Sequence, residues 1–300
     1  MKHLFFLLLI SLLAIGSANS QAWKNNRHSI IVSAGGNIFL GDLGGGAKEG
    51  AHFFGLRDVD LPSVKFSGML GYRYQIGERL YTRVNVMFSK VGADDANSGR
   101  EVRKVRNLNF RSDLLEAGAT VDYYFIKEKD LPRHGLKGPS FGRRIAGYLF
   151  VGFSALHFNP MGQYEGAWYD LQPLCTEGQG TGIKYRVKQG GVNAVIETQE
   201  PYSRLAYAVP IGLGFKVQIN TNVSVGLEIA QHFTTTDYID DCSSYYFNYA
   251  QEGVEPPSGM TSVFANRMGK NAPTGTQRGD SGYNDAYFTT MFSVYYKFGK

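Results

Sequence analysis

Eight segments in which apolar and polar residues alternate with period two recur along the chain, at 29–40, 64–74, 80–89, 114–125, 146–158, 205–217, 223–233 and 287–298. Alternation places one class of residue on each side of a pleated strand, so the pattern predicts an all-β chain. Soluble-sandwich strands usually run about 5 to 6 residues, whereas a strand tilted across a bilayer needs about 9 to 11. These segments have the longer span. Their connections are unequal in a regular way. Residues 75–79 and 220–222 are tight, the latter an Asn-Thr-Asn suited to left-handed turn geometry, while 41–62, 90–109, 159–204 and 235–285 are long. Short turns at one end and long loops at the other predict an eight-stranded antiparallel up-and-down transmembrane β-barrel with four long extracellular loops. Both termini then fall in the periplasm, at the short-turn end. One connection on that side, 126–144, is longer than a turn requires.

The first twenty residues read as a signal peptide. Lys2 and His3 precede an apolar core from Leu4 to Ile15, and the small residues Ala18 and Ser20 suit a peptidase cutting before Gln21. The organisation expected is therefore a signal peptide at 1–20 and an outer-membrane barrel at 21–300. Beyond that leader no apolar run approaches 20 residues, which excludes a helical membrane protein. Disorder is excluded by the 19 Tyr and 20 Phe and by a net charge of only +5. The basic balance does not imply nucleic acid, because no basic stripe interleaves with aromatics on one element.

The strand faces can be sorted. Phe66, Leu70, Tyr72 and Tyr74 oppose Ser67, Gly71 and Arg73; Val84, Val86 and Phe88 oppose Arg83, Asn85 and Ser89. Leu115, Val121 and Phe125 oppose Glu116 and Asp122, and Ile211, Leu213 and Phe215 oppose Gly212, Gly214 and Lys216. The apolar face is expected to meet lipid and the polar face to line the interior. Arg73, Arg83, Glu116, Asp122, Lys216, Glu228 and Lys297 then project into a lumen just wide enough for side chains to fill. Such charges must pair, so a salt-bridged plug is expected, and a wide diffusion pore is excluded by strand number.

No catalytic, metal or cofactor motif stands out. Glu228 and His232 share a face, but no nucleophile is marked beside them, and a satisfied lumen histidine is the simpler reading. Asp237, Asp240 and Asp241 have oxygen donors for Ca²⁺, though solvated loop carboxylates are commoner. The 2 cysteines, Cys175 and Cys242, lie in long loops at the same end of an exported chain, so a disulfide between them is expected, with two separate thiols as the rival. The connection 127–144 is strongly basic, with Lys127, Lys129, Arg133, Lys137, Arg143 and Arg144. The long loops are mildly acidic in sum. That asymmetry suits attraction to lipid headgroups or a docking surface for an acidic periplasmic partner.

Several short motifs carry a resemblance. They are Gly-Asp-Leu-Gly-Gly at 41–45, Gly-Tyr-Arg-Tyr at 71–74, Asn-Phe-Arg at 109–111 leading to Leu115-Glu116, and Tyr-Leu-Phe at 148–150 running to Phe158-Asn159-Pro160. Trp168, Leu171, Pro173 and Leu174 follow, then Thr-Glu-Gly-Gln-Gly at 176–180, Pro-Ile-Gly-Leu-Gly-Phe-Lys at 210–216 and Asp-Tyr-Ile-Asp-Asp at 237–241. In this order the chain resembles the PorG-type outer-membrane barrel of the Bacteroidota type IX secretion system. The resemblance implies a non-enzymatic membrane anchor for a periplasmic ring of a lipoprotein and a soluble subunit, in a machine that exports cargo and supports gliding. Cys175 and Cys242 depart from the pattern. A second class stays open: a free-standing OmpA-like or adhesin-type barrel whose extracellular loops bind ligands.

Overall fold

The structure, a computed structural model, describes residues 27–43, 63–128, 144–189, 192–269 and 272–298. The leader therefore lies outside the described residues. Its barrel strands are β1 (His28–Leu40), β2 (Lys65–Gln75), β3 (Leu80–Asp94), β4 (Asn109–Ile126), β5 (Ile145–Tyr164), β9 (Leu205–Gln218), β10 (Val223–Thr234) and β11 (Ala286–Phe298). Between β5 and β9 the chain adds β6 (Ala167–Asp170), β7 (Lys184–Gln189) and β8 (Val192–Glu197). The eight long strands pair with antiparallel neighbours in the order β4-β3-β2-β1-β11-β10-β9-β5, and β4 pairs with β5 to close the cylinder. Closure occupies every strand edge, which matters wherever no water is present to satisfy backbone groups.

Alternation has the hand a membrane requires. Leu70, Val84, Val86, Phe153, Ile211, Phe292 and Val294 point outward and are exposed, Phe292 by 70% and Leu70 by 62%. Arg73, Arg83, Glu116, Asp122, Lys216 and Glu228 point inward and are buried. A water-soluble barrel would hide the first set and expose the second. Apolar side chains outside and paired charges inside are the arrangement of an outer-membrane barrel.

Three strands run further than the alternation suggests. β3 continues to Asp94 and β4 begins at Asn109, so that Asp94 faces Asn109 and Ala93 faces Phe110 across the ladder. Gly92, Ala93 and Ser112 blur the polar pattern there, which hides the strand from a period-two reading. The ladder thus takes in 90–94 and 109 of the stretch 90–109, and the rest crosses its top through a 3-10 turn at Asp95–Asn97 and a short helix at Glu101–Arg106. β5 likewise extends to Tyr164, and β6 folds back on it through a turn with Glu165 and Gly166 both at positive φ. The long-loop end of the barrel stands well above any belt that about 9 to 11 residues can span.

One seam in the wall is irregular. The pairing of β5 with β9 skips Gly152 and Phe153, opposite Pro210 and Val209, while β9 stays paired with β10 through Pro210 and His232. Proline has no N–H to give a neighbouring strand, so the ladder lapses on the side where that donor was needed. Four residues along β9, Gly214 faces Tyr148; a Cβ there would run into the tyrosine ring, so the glycine makes room for an inward aromatic.

Candidate functional site

At the short-turn end, Arg73, Lys216 and Lys297 reach into the lumen from β2, β9 and β11. One carboxylate answers all three. Glu128, just past the end of β4, turns into the mouth, with Lys216 Nζ at 2.5 Å, Lys297 Nζ at 3.0 Å and Arg73 Nη2 at 3.9 Å. Burial pushes the Glu128 carboxyl up, but the Lys216, Lys297 and Arg73 charges outweigh burial and hold it well below the usual carboxylate range. Arg73 also lies over the Tyr81 and Tyr295 rings, at 4.7 and 5.1 Å from their centroids, and donates to the Tyr124 hydroxyl.

Above this layer, Arg83 Nη1 donates to both oxygens of Glu228 at 2.9 Å, and its Nη2 lies 3.7 Å from Asp122. The Tyr148 and Tyr295 hydroxyls donate to Glu228, each at 2.6 Å. Higher again, Glu116 accepts from Ser154 at 2.8 Å and from Tyr287, and pairs with His232 Nδ1 at 3.0 Å. His232 stacks on Tyr287 with centroids 4.5 Å apart. The two residues sharing a strand face, Glu228 and His232, therefore serve different layers. Ser154 meets Glu116 rather than the imidazole. The lumen is a stack of paired charges and hydroxyls. Glu128 is the member that alternation misses, because it follows the strand. Charge arithmetic points to it: Arg73, Arg83, Lys216 and Lys297 outnumber Glu116, Asp122 and Glu228, and a sealed interior calls for one more carboxylate.

The loops at the other end form a packed cap. Ile239, Cys242 and Phe264 continue the upper lumen core, while Tyr185, Val187, Phe247 and Tyr249 form a separate small one. Two buried guanidiniums organise it. Arg106 binds both oxygens of Asp95, at 2.7 and 2.9 Å. Arg278 binds Glu177 at 2.8 Å and lies 3.7 Å from Asp241. Glu177 also accepts from the backbone N–H groups of Ser243 and Ser244, so loops 159–204 and 235–285 are latched together. Neither guanidinium stands out in the sequence, because both lie in stretches without periodicity.

The expected disulfide is not formed; Cys175 and Cys242 are free. The loops do meet beside them, where the Thr176 hydroxyl donates to Asp241 at 2.6 Å and the Tyr249 hydroxyl to the Cys175 carbonyl at 2.7 Å. The thiols turn to different acceptors: Cys242 to the Arg278 carbonyl at 3.3 Å, Cys175 to the Gln172 carbonyl at 3.9 Å. The loops meet, but a disulfide also requires a particular separation and direction of the two side chains. Burial pushes both thiols up, Cys242 far above its ordinary value.

Asp237, Asp240 and Asp241 do not form a cation cage. Asp241 belongs to the Arg278 latch, and among the described residues no group of three His, Cys, Asp or Glu side chains is arranged to hold a metal. Asp240 instead accepts from the Leu43 and Cys242 backbone and Asp285 from that of Ile239. Burial and neighbouring carboxylates push Asp240 and Asp285 well above the carboxylate range. Of the basic connection, Lys127 pairs with Glu78 on the neighbouring short turn, and the Arg144 carbonyl accepts from Gln218 N–H. Lys129, Arg133, Lys137 and Arg143 lie outside the described residues.

No protein-family model matches the chain, and no curated protein matches it. Solved structures do resemble it. Neisserial surface protein A is 10% identical, with a TM-score of 0.38 over 90% of this chain and 97% of that one. The attachment invasion locus protein Ail of Yersinia pestis, solved with the heparin analogue sucrose octasulfate, is 8% identical with a TM-score of 0.37, over 91% of this chain and 99% of that one. A major outer membrane protein from Thermus thermophilus is 10% identical with a TM-score of 0.37, over 90% of this chain and 99% of that one. At these TM-scores the likeness carries no argument about this chain, whose barrel rests on its own strand pairing.

Proposed function

We propose that the protein is a non-enzymatic outer-membrane barrel that anchors a periplasmic ring complex of the type IX protein secretion machinery, with its termini and short turns in the periplasm. The seating of Glu128 carries this reading. The long connection on the short-turn side begins with a side chain locked into the barrel mouth by Lys216, Lys297 and Arg73, so its basic residues leave from a fixed point. A lumen packed with paired charges suits a support rather than a conduit. The chemistry of 127–144 fits an acidic surface on a periplasmic lipoprotein and its soluble partner. The motif resemblance supports the same assignment.

The latched cap favours a second reading, a free-standing OmpA-like or adhesin-type barrel that presents a preformed surface outside the cell. Affinity purification from detergent-solubilised outer membranes separates the two. The anchor reading expects stoichiometric periplasmic partners. It also expects their loss when Lys127, Lys129, Arg133 and Lys137 are all changed to Glu, with barrel assembly unaffected. Recovery of the barrel alone from wild-type membranes would sink the anchor reading.

A further inference from the structure

The upper lumen holds a cavity of about 40 Å³ bordered by Arg83, Glu116, Glu228 and His232. Three methionines line it: Met69 from β2, Met87 from β3 and Met291 from β11. Met69 and Met87 face each other directly across the β2–β3 ladder, and Met87 is in turn opposite Glu116 on β4. The chain has only 7 methionines, so three on one cavity is a concentration that composition does not explain. Methionine is the residue that ordinarily fills irregular core gaps. Here three of them surround a gap and leave it open, with room above the roughly 10–15 Å³ that one water needs.

The fourth wall is an imidazole presented as ligands are. Nδ1 of His232 faces the Glu116 carboxylate at 3.0 Å, and that carboxylate already accepts from Ser154 and Tyr287. A carboxylate acting as acceptor fixes the proton on Nδ1 and leaves the lone pair on Nε2. Among the described residues Nε2 has a long contact with the Thr289 hydroxyl, at 3.3 Å, and Thr289 also lines the cavity. The ionised groups lining the cavity have the sign a cation needs, with Glu116 and Glu228 set against the guanidinium of Arg83.

We propose that this cavity binds a soft monovalent cation, Cu(I), through the thioethers of Met69, Met87 and Met291 and Nε2 of His232. Thioethers are poor donors to Ca²⁺, Mg²⁺ or Zn²⁺ but suit Cu(I), and imidazole suits copper as well. A monovalent ion also matches the local excess of negative charge without overturning it. The inference is independent of any role in secretion.

The test uses the full chain refolded in detergent, with Cys175→Ser and Cys242→Ser introduced so that no thiol competes. Cu(I), kept reduced and held by a colorimetric chelator, is supplied during refolding in one arm and afterwards in the other. In at least one arm the protein should withdraw one Cu(I) per chain, Ag(I) should displace it, and X-ray absorption should show sulfur together with nitrogen neighbours. Met→Leu is volume-conserving, so the triple variant of Met69, Met87 and Met291 should keep the heat-modifiable gel mobility of a folded barrel and lose stoichiometric binding. Should the triple variant not fold, the single Met→Leu variants give the same readout. Glu116→Gln should weaken binding by about 10–100-fold through the imidazole it orients. Failure to withdraw copper in both arms overturns the proposal. So does equal binding by the methionine variants, which would leave the methionines as lumen packing only.

Discussion

Replacing Glu128 with Gln keeps the shape of the side chain and removes one charge from a point where Lys216, Lys297 and Arg73 converge at 2.5, 3.0 and 3.9 Å. All four side chains are buried, so water does not take over the lost role. Removing one partner of a buried pair costs about 3–5 kcal/mol, and each factor of ten is about 1.4 kcal/mol, so the folded-to-unfolded ratio should fall by about two to four orders of magnitude. Adding Lys216→Met should restore part of that loss, because it removes one of the cations left unanswered. The wild-type pH curve gives a second readout. A carboxyl depressed on folding contributes stability that is present above its unfolded pKa, about 4.3, and is lost as pH falls from there toward the folded value. Wild type should therefore lose part of its advantage over E128Q in acid below about pH 4. Urea unfolding in micelles, read by heat-modifiable mobility, measures both effects. A loss below about 1 kcal/mol, the size of an exposed pair, would refute the argument. So would a double variant less stable than E128Q alone.

Gly214→Ala should destabilise the barrel by about 1–3 kcal/mol, because the added methyl meets the Tyr148 ring; an unchanged urea midpoint would mean the ring moves aside freely. Mass spectrometry after alkylation without reductant should find both cysteines modified in denatured protein and Cys242 protected in native protein; an unreduced cross-linked species would restore the disulfide. Burial, and then Asp240, push the Asp237 carboxyl up to about 10. A carboxyl raised on folding stabilises fully below its unfolded pKa, about 3.9, and loses that contribution as pH rises through the folded value. Limited proteolysis within 235–285 should accordingly speed up from pH 5 to pH 10, and Asp237→Asn should flatten the dependence. A cap cut equally fast at both pH values would count against it.

The eight strands, their antiparallel order and the side each residue faces were legible in the chain, because side-chain direction in a strand has a period of two and depends on nothing distant. Every buried lumen charge that sits inside a strand, from Arg73 on β2 to Lys297 on β11, follows from that local rule. What the rule does not supply is who pairs with whom. His232 lies four residues from Glu228 yet binds Glu116, 116 residues away, because the far wall of a closed cylinder is nearer than the next layer on the same strand. Glu128, Arg106, Arg278 and Glu177 occupy segments with no periodicity, and only the meeting of separate loops reveals their partners. The cysteines mark the boundary most clearly. Sequence placed them in loops at one end, but whether two thiols bond depends on both the separation and the direction of two side chains, and in the fold each thiol faces its own carbonyl, Arg278 for Cys242 and Gln172 for Cys175.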